Sequence, residues 1–174
     1  ISADLQHDQS ISTIVKLRVI GRQQQLVRID FEEAPSEFVL QRKLVRFNDA
    51  LASADLVILS DYAKGSLTNV REMISAARTM GKTVLVDPKG QDFRKYAGAS
   101  LLTPNKSELR LVVGDWRSEE ELTSKAQNLR ADLGLDALLL TRSEEGMSLY
   151  TDDMILHVPA MAREVFDVSG AGDT

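Results

Sequence analysis

The sequence predicts an α/β fold: a mostly parallel sheet flanked by helices, with a β-hairpin lid, in an incomplete domain. Three features of the chain lead there. From Asp55 onward, short apolar runs alternate with helical stretches, the rhythm of strand–helix–strand units. The runs D-L-V-I-L-S (Asp55–Ser60) and A-L-L-L-T (Ala137–Thr141) are almost wholly apolar, as in strands covered on both faces. Ahead of them, a segment near residues 14–33 alternates apolar with polar residues, the period of a half-exposed strand pair.

The elements follow in order. Residues 1–12 are polar and mixed. Val15, Leu17 and Val19 alternate with Lys16 and Arg18, Gly21–Gln24 makes a turn, and Val27, Ile29 and Phe31 alternate with Arg28 and Asp30. That is a hairpin with one apolar and one charged face. A helix is expected from Ser36 to Ala52, on Phe38, Leu44, Val45, Phe47 and Leu51. Strands are expected at 55–60, 83–86, 100–103 and 137–141. Between them lie helices at 69–80, stopped by Gly81, at 106–113, closed by Gly114, and at 118–133, opened by the S-E-E-E capping pattern. A helical turn is expected at 92–96. A second hairpin is expected at 147–150 and 154–158 around Thr151-Asp152-Asp153.

The totals narrow the function. A length of 174 residues with 43% hydrophobic and 27% charged content is an ordinary globular domain. The net charge of −5 argues against a nucleic-acid partner. With no cysteine, disulfides, thiolate metal sites and a cysteine nucleophile are excluded. No apolar run approaches the ~18 residues that span a bilayer, and no signal peptide is visible, so the expected location is the cytoplasm. The chain begins at Ile1 and ends inside a glycine motif, so a fragment of a longer polypeptide is expected.

In parallel sheets, ligands bind beyond the carboxyl ends of the strands. Four apolar runs here end in polar residues: Ser60-Asp61-Tyr62, Asp87-Pro88-Lys89, Thr103-Pro104-Asn105 with Glu108, and Thr141-Arg142-Ser143. The last stretch, D-V-S-G-A-G-D-T (Asp167–Thr174), adds a fifth element. Gly170 and Gly172, with Ala171 between them, let successive amides converge on an anion. Asp173 inside that nest has the layout for deprotonating an alcohol beside a phosphoryl group in transfer. The competing reading is a glycine turn whose aspartate caps a helix.

Two of these motifs resemble the signatures of the ribokinase/PfkB carbohydrate kinases: T-P-N-K-S-E (Thr103–Glu108) and D-V-S-G-A-G-D-T. Longer strings, K-L-R-V-I-G-R-Q-Q-Q-L-V-R-I-D-F-E-E (Lys16–Glu33), S-D-Y-A-K-G (Ser60–Gly65), V-D-P-K-G (Val86–Gly90) and T-R-S-E-E-G-M-S-L (Thr141–Leu149), are similar to the branch of that family acting on a heptose 7-phosphate. The family's N-terminal Gly-Gly signature is absent, and the second signature has Val168 where the family has Thr. The resemblance implies a partial kinase domain over 1–174, with a hairpin lid or dimer element at 14–33 and an α/β core at 55–174 lacking its C-terminal helices.

It implies ATP and Mg²⁺ as cofactors, a sugar phosphate as partner, phosphorylation at the anomeric hydroxyl on the route to ADP-heptose, and a homodimer through the hairpin. Asp173 would be the general base, with Gly170, Ala171 and Gly172 supplying amides to the transferring phosphoryl. Asn105 and Glu108, three residues apart on a helix start, suit Mg²⁺ held through waters or, equally, an N-terminal capping box. Lys89 would approach the phosphates and Asp87 would orient metal waters, unless Asp87-Pro88-Lys89 is only a turn. Thr141, Arg142 and Glu144 are expected at the nucleotide, or in a solvated loop. Asp61, Tyr62 and Lys64 are expected at the sugar phosphate, with Lys16, Arg18 and Arg28 reaching its 7-phosphate or simply facing solvent. The alternatives are another kinase of the same family, acting on ribose, fructose 1-phosphate or a nucleoside, and a non-catalytic fragment keeping only the dimer hairpin. The 174 residues alone are expected to be inactive.

Overall fold

A computed structural model describes residues 3–5, 10–22 and 24–161. β1 (Val15–Gly21) and β2 (Gln24–Phe31) form an antiparallel pair apart from the main sheet. The register sets Val15 against Phe31, Leu17 against Ile29 and Val19 against Val27 on one face, and Lys16 against Asp30 and Arg18 against Arg28 on the other. Like charges face each other at the last pair, and Arg28 turns instead to Asp30, at 2.8 Å. The apolar face is open, with Leu17 47% and Phe31 56% exposed.

α1 (Glu37–Leu51) starts at Ser36, whose hydroxyl accepts from the Val39 amide. Its inward stripe is Leu40, Leu44, Phe47 and Leu51. Phe38 and Val45, expected on that stripe, are 69% and 60% exposed, because a 3.6-residue period through Leu44 and Leu51 places both on other faces.

The main sheet holds β3 (Leu56–Ser60), β4 (Thr83–Asp87), β5 (Leu101–Leu102), β6 (Ala137–Thr141), β7 (Met147–Tyr150) and β8 (Ile155–Val158), in that spatial order. The first four are parallel, and the last two return antiparallel. α2 (Val70–Thr79), a 3₁₀ turn (Phe93–Tyr96), α3 (Lys106–Val113) and α4 (Glu119–Asp132) fill the crossovers. Strand order follows chain order, so right-handed crossovers put these helices on one face. Val57, Leu59, Val84, Val86, Leu102, Leu138, Leu140 and Tyr150 are buried there. Residues of opposite parity, Ile58, Leu85, Leu101, Leu139, Leu149 and Leu156, share the other face, where Ile58 is 68% exposed.

β5 is shorter than the expected 100–103. The Ser100 hydroxyl takes the Val84 amide at 3.0 Å, while the Ser100 backbone still bonds the Val84 carbonyl and the Ala137 amide at 2.9 Å each. The other elements lie within two residues of their expected bounds.

Candidate active site

All four parallel strands point their carboxyl ends the same way, and the polar residues after them form one bonded series. Asp61 follows β3 and is 5% exposed. Its amide donates to the Asp87 carbonyl at 3.0 Å, which ties the ends of β3 and β4 together. One carboxylate oxygen accepts from the Tyr96 hydroxyl at 2.6 Å and the Lys95 ammonium at 2.7 Å, and the other from the Ala63 amide at 2.8 Å. Burial pushes the Asp61 pKa up, but the bonds from Lys95, Tyr96 and Ala63 outweigh it and hold the carboxyl below its usual value. Tyr96 is fully buried. Burial, then its bond to Asp61, push its phenol up to about 12.

The Tyr96 hydroxyl also accepts from the Lys89 amide at 3.0 Å. The Lys89 ammonium reaches Glu108 Oε1 at 2.6 Å, and that bond raises the lysine pKa. Glu108, 7% exposed, accepts the Asn105 amide on Oε2 at 3.0 Å, while Asn105 Oδ1 accepts the Glu108 amide at 2.9 Å. The capping box at the start of α3 is thus complete, and its glutamate carries a lysine as well. Asn105 pairs with Thr141 across the next gap, where the Thr141 amide donates to the Pro104 carbonyl at 3.0 Å.

Arg142, next after β6, is 7% exposed. Both carboxylate oxygens of Glu119 accept from it, at 2.8 and 2.6 Å. Glu145 Oε2 accepts from Nε and Nη2 at 3.0 and 2.5 Å, and Ser148 Oγ from Nη1 at 3.2 Å. Those contacts use all five N–H groups of a guanidinium. Arg142 was expected at the nucleotide or in a solvated loop; its guanidinium is buried and bonded to Glu119, Glu145 and Ser148. Thr141 is half-buried and Glu144 exposed.

The structure therefore brings Asp61, Lys89, Asn105, Glu108, Thr141 and Arg142 into one row, with Asp87 bonded at its second strand end. Tyr62 is 63% exposed beside it, and Lys64 pairs with Glu32 at the base of the hairpin. Lys16 and Arg18 are exposed on the charged face of the hairpin, and Arg28 is paired within the hairpin. Gly170, Ala171, Gly172 and Asp173 lie outside the described residues. Sequence reading missed Tyr96 and Lys95, and read Glu119 only within a capping pattern; all three join the row through partners distant along the chain. No group of three or more His, Cys, Asp or Glu side chains among the described residues could hold a metal ion by itself.

The sequence matches the pfkB family carbohydrate kinases over residues 1–174. It is 51% identical over 174 residues to D-beta-D-heptose 7-phosphate kinase of Bordetella bronchiseptica, covering all of this chain and 56% of that protein. It is 53% identical over 175 residues to the bifunctional protein HldE of Chromohalobacter salexigens, covering 100% of this chain and 37% of the relative. The chain thus spans about half or less of the length of these curated relatives. Arabidopsis thaliana ribokinase, solved with ribose and ATP, superposes with a TM-score of 0.65 at 20% identity, over 86% of this chain and 49% of that one. The tetrameric inhibited form of Escherichia coli phosphofructokinase-2 gives 0.72 at 17% identity, over 92% and 54%.

Proposed function

Because the chain belongs to the pfkB family of carbohydrate kinases, we propose that it is part of an enzyme moving the γ-phosphoryl of ATP onto a heptose 7-phosphate. The acceptor is the anomeric hydroxyl of D-glycero-β-D-manno-heptose 7-phosphate, and the product feeds ADP-heptose for the lipopolysaccharide core, in the cytoplasm. The observation that carries this reading is the 51% identity across all 174 residues to a heptose 7-phosphate kinase.

Asp173 takes the acceptor proton as the sugar oxygen attacks phosphorus, and the Gly170–Gly172 amides bear the charge of the transferring group. Proton transfer comes late, so Asp173 mainly orients the hydroxyl. Thr141 and Glu144 line the nucleotide with Arg142 behind them. Lys89 draws the phosphates toward the end of β4. Asp61, Tyr62 and Lys64 meet the sugar phosphate, and Lys16, Arg18 and Arg28 lie on the lid toward its 7-phosphate. Domain roles divide accordingly between the hairpin and the α/β core.

Mg²⁺ suits this donor set only through its waters. Each Glu108 oxygen already accepts one bond, from Lys89 or from the Asn105 amide, which leaves lone pairs for water but no bare carboxylate. Glu108 and Asp87 would hold those waters, and the ion would withdraw charge from the phosphate oxygens. A second copy would pack on the apolar hairpin face.

A substrate panel tests the reading. With ATP saturating, kcat/KM for heptose 7-phosphate should exceed that for ribose, fructose 1-phosphate and nucleosides by about 10²-fold or more. A preference for any of the others would transfer the chain to a different branch of the family.

A further inference from the structure

The turn after β6 is held in a costly shape by residues that reach it from two helices. Ser143 sits at φ +56° and Gly146 at φ +91°. A non-glycine residue in the left-handed region persists only where its surroundings over-determine it. The backbone closes the turn from the Arg142 amide to the Gly146 carbonyl at 2.8 Å. A Cβ on Gly146 would lie 2.0 Å from the Val158 carbonyl oxygen, so the turn also presses against the end of β8.

Below the turn, Arg142 is gripped by two carboxylates. Glu145 comes from the turn itself and also binds Lys106, the first residue of α3, at 2.5 Å. Glu119 comes from the first turn of α4 and meets the guanidinium with both oxygens. Two cations and two carboxylates leave the cluster neutral around the buried Arg142, with the side chains of Glu119 and Glu145 reaching it from the surface, 65% and 40% exposed. Ser148, beneath Arg142, is in turn 3.1 Å from His157 Nδ1 on β8. The cluster fastens three pieces together: the helix carrying Asn105 and Glu108, the start of α4, and the turn carrying Thr141 and Glu144.

We infer that Glu119 is a positioning residue for the nucleotide, acting through Arg142 to fix the turn at 141–146 in the shape that Thr141 and Glu144 need. Bidentate pairing sets the guanidinium plane, and the plane sets the backbone of the residue that follows β6. The inference rests on the proposed reading that this turn faces ATP.

The test is made in the kinase. Glu119→Gln keeps the size and removes the charge. The KM for ATP should rise about tenfold, the scale of losing one charge-assisted hydrogen bond. The KM for the sugar phosphate and kcat should stay within about twofold, and Glu119→Asp should recover part of the loss. A non-hydrolysable ATP analogue should raise Tm less in the variant than in the wild type. Thr141→Val is run alongside as a probe of direct contact. If Thr141→Val raises the KM for ATP and Glu119→Gln does not, the inference fails while the reading of the turn stands. If neither raises it, both fail. Equal losses for ATP and sugar would mark Glu119 as merely structural and overturn the inference. Should Glu119→Gln not fold, Glu119→Asp is judged by the same split.

Discussion

Lys43 occupies an inward position on α1, one turn after Leu40 and beside Leu44 and Phe47. Its ammonium is shut off from solvent with no hydrogen-bond partner among the described residues. Burial lowers its pKa, and the field of Asp61 offsets only part of that. The charged form is therefore disfavoured by folding. The cost is full below the folded pKa and fades as pH rises through it toward the unfolded value. Lys43→Met fills the same volume without the charge. By calorimetry, Tm at pH 7 should rise about 2–5 °C, on the order of 1 kcal/mol for an unsatisfied buried donor. The gain should shrink as pH approaches the ordinary lysine value of 10.5. A fall in Tm at pH 7 would mean that the ammonium has a stabilising partner. Lys43, Tyr96 and Glu119 were not legible in the sequence, because each takes its meaning from a residue far along the chain: Tyr96 lies 35 positions from Asp61, and Glu119 23 from Arg142. Asn105 and Glu108 were legible because a capping box is written within four residues.

At the scale of elements, local signals did most of the work. Ser36, Asn105 and Ser118 cap their helices as their sequence positions suggest, and alternation alone assigned the two faces of the β1–β2 hairpin. At β5 the pattern overstated the strand, although the backbones of Ser100 and Thr103 still bond the neighbouring strands at 2.9 Å. The hairpin's apolar face holds three cross-strand pairs in the open, an arrangement that a second copy would bury. Leu17→Glu places a charge at the middle of that face. Light scattering should find a dimer for the wild-type kinase and a monomer for Leu17→Glu, with circular dichroism unchanged. A wild-type monomer, or a variant that still dimerises, would remove the hairpin as the contact.

Across the whole molecule, the carboxyl ends of the parallel strands gather the polar row, and the helices of the crossovers pack on one face of the sheet. The strand ends hold a bonded row from Asp61 to Arg142, assembled from segments 81 positions apart. On the face away from the helices Ile58 is 68% exposed, while Leu85 and Leu139 are half-buried. The parallel sheet and its helices followed from apolar strands alternating with helical stretches, whereas the same apolar strands predicted cover on both faces and the described helices lie on one. The row's internal wiring did not, since hydrogen bonds between loops leave no period in a sequence. The proposed chemistry turns on a carboxylate within a cradle of amides, facing that row. Initial rates of phosphoryl transfer from ATP to heptose 7-phosphate, for Asp173→Asn against the wild-type kinase, test it most directly. A fall in kcat of about 10²–10⁴-fold, with both KM values little changed, is expected; a kcat within about threefold of wild type would contradict a base at residue 173.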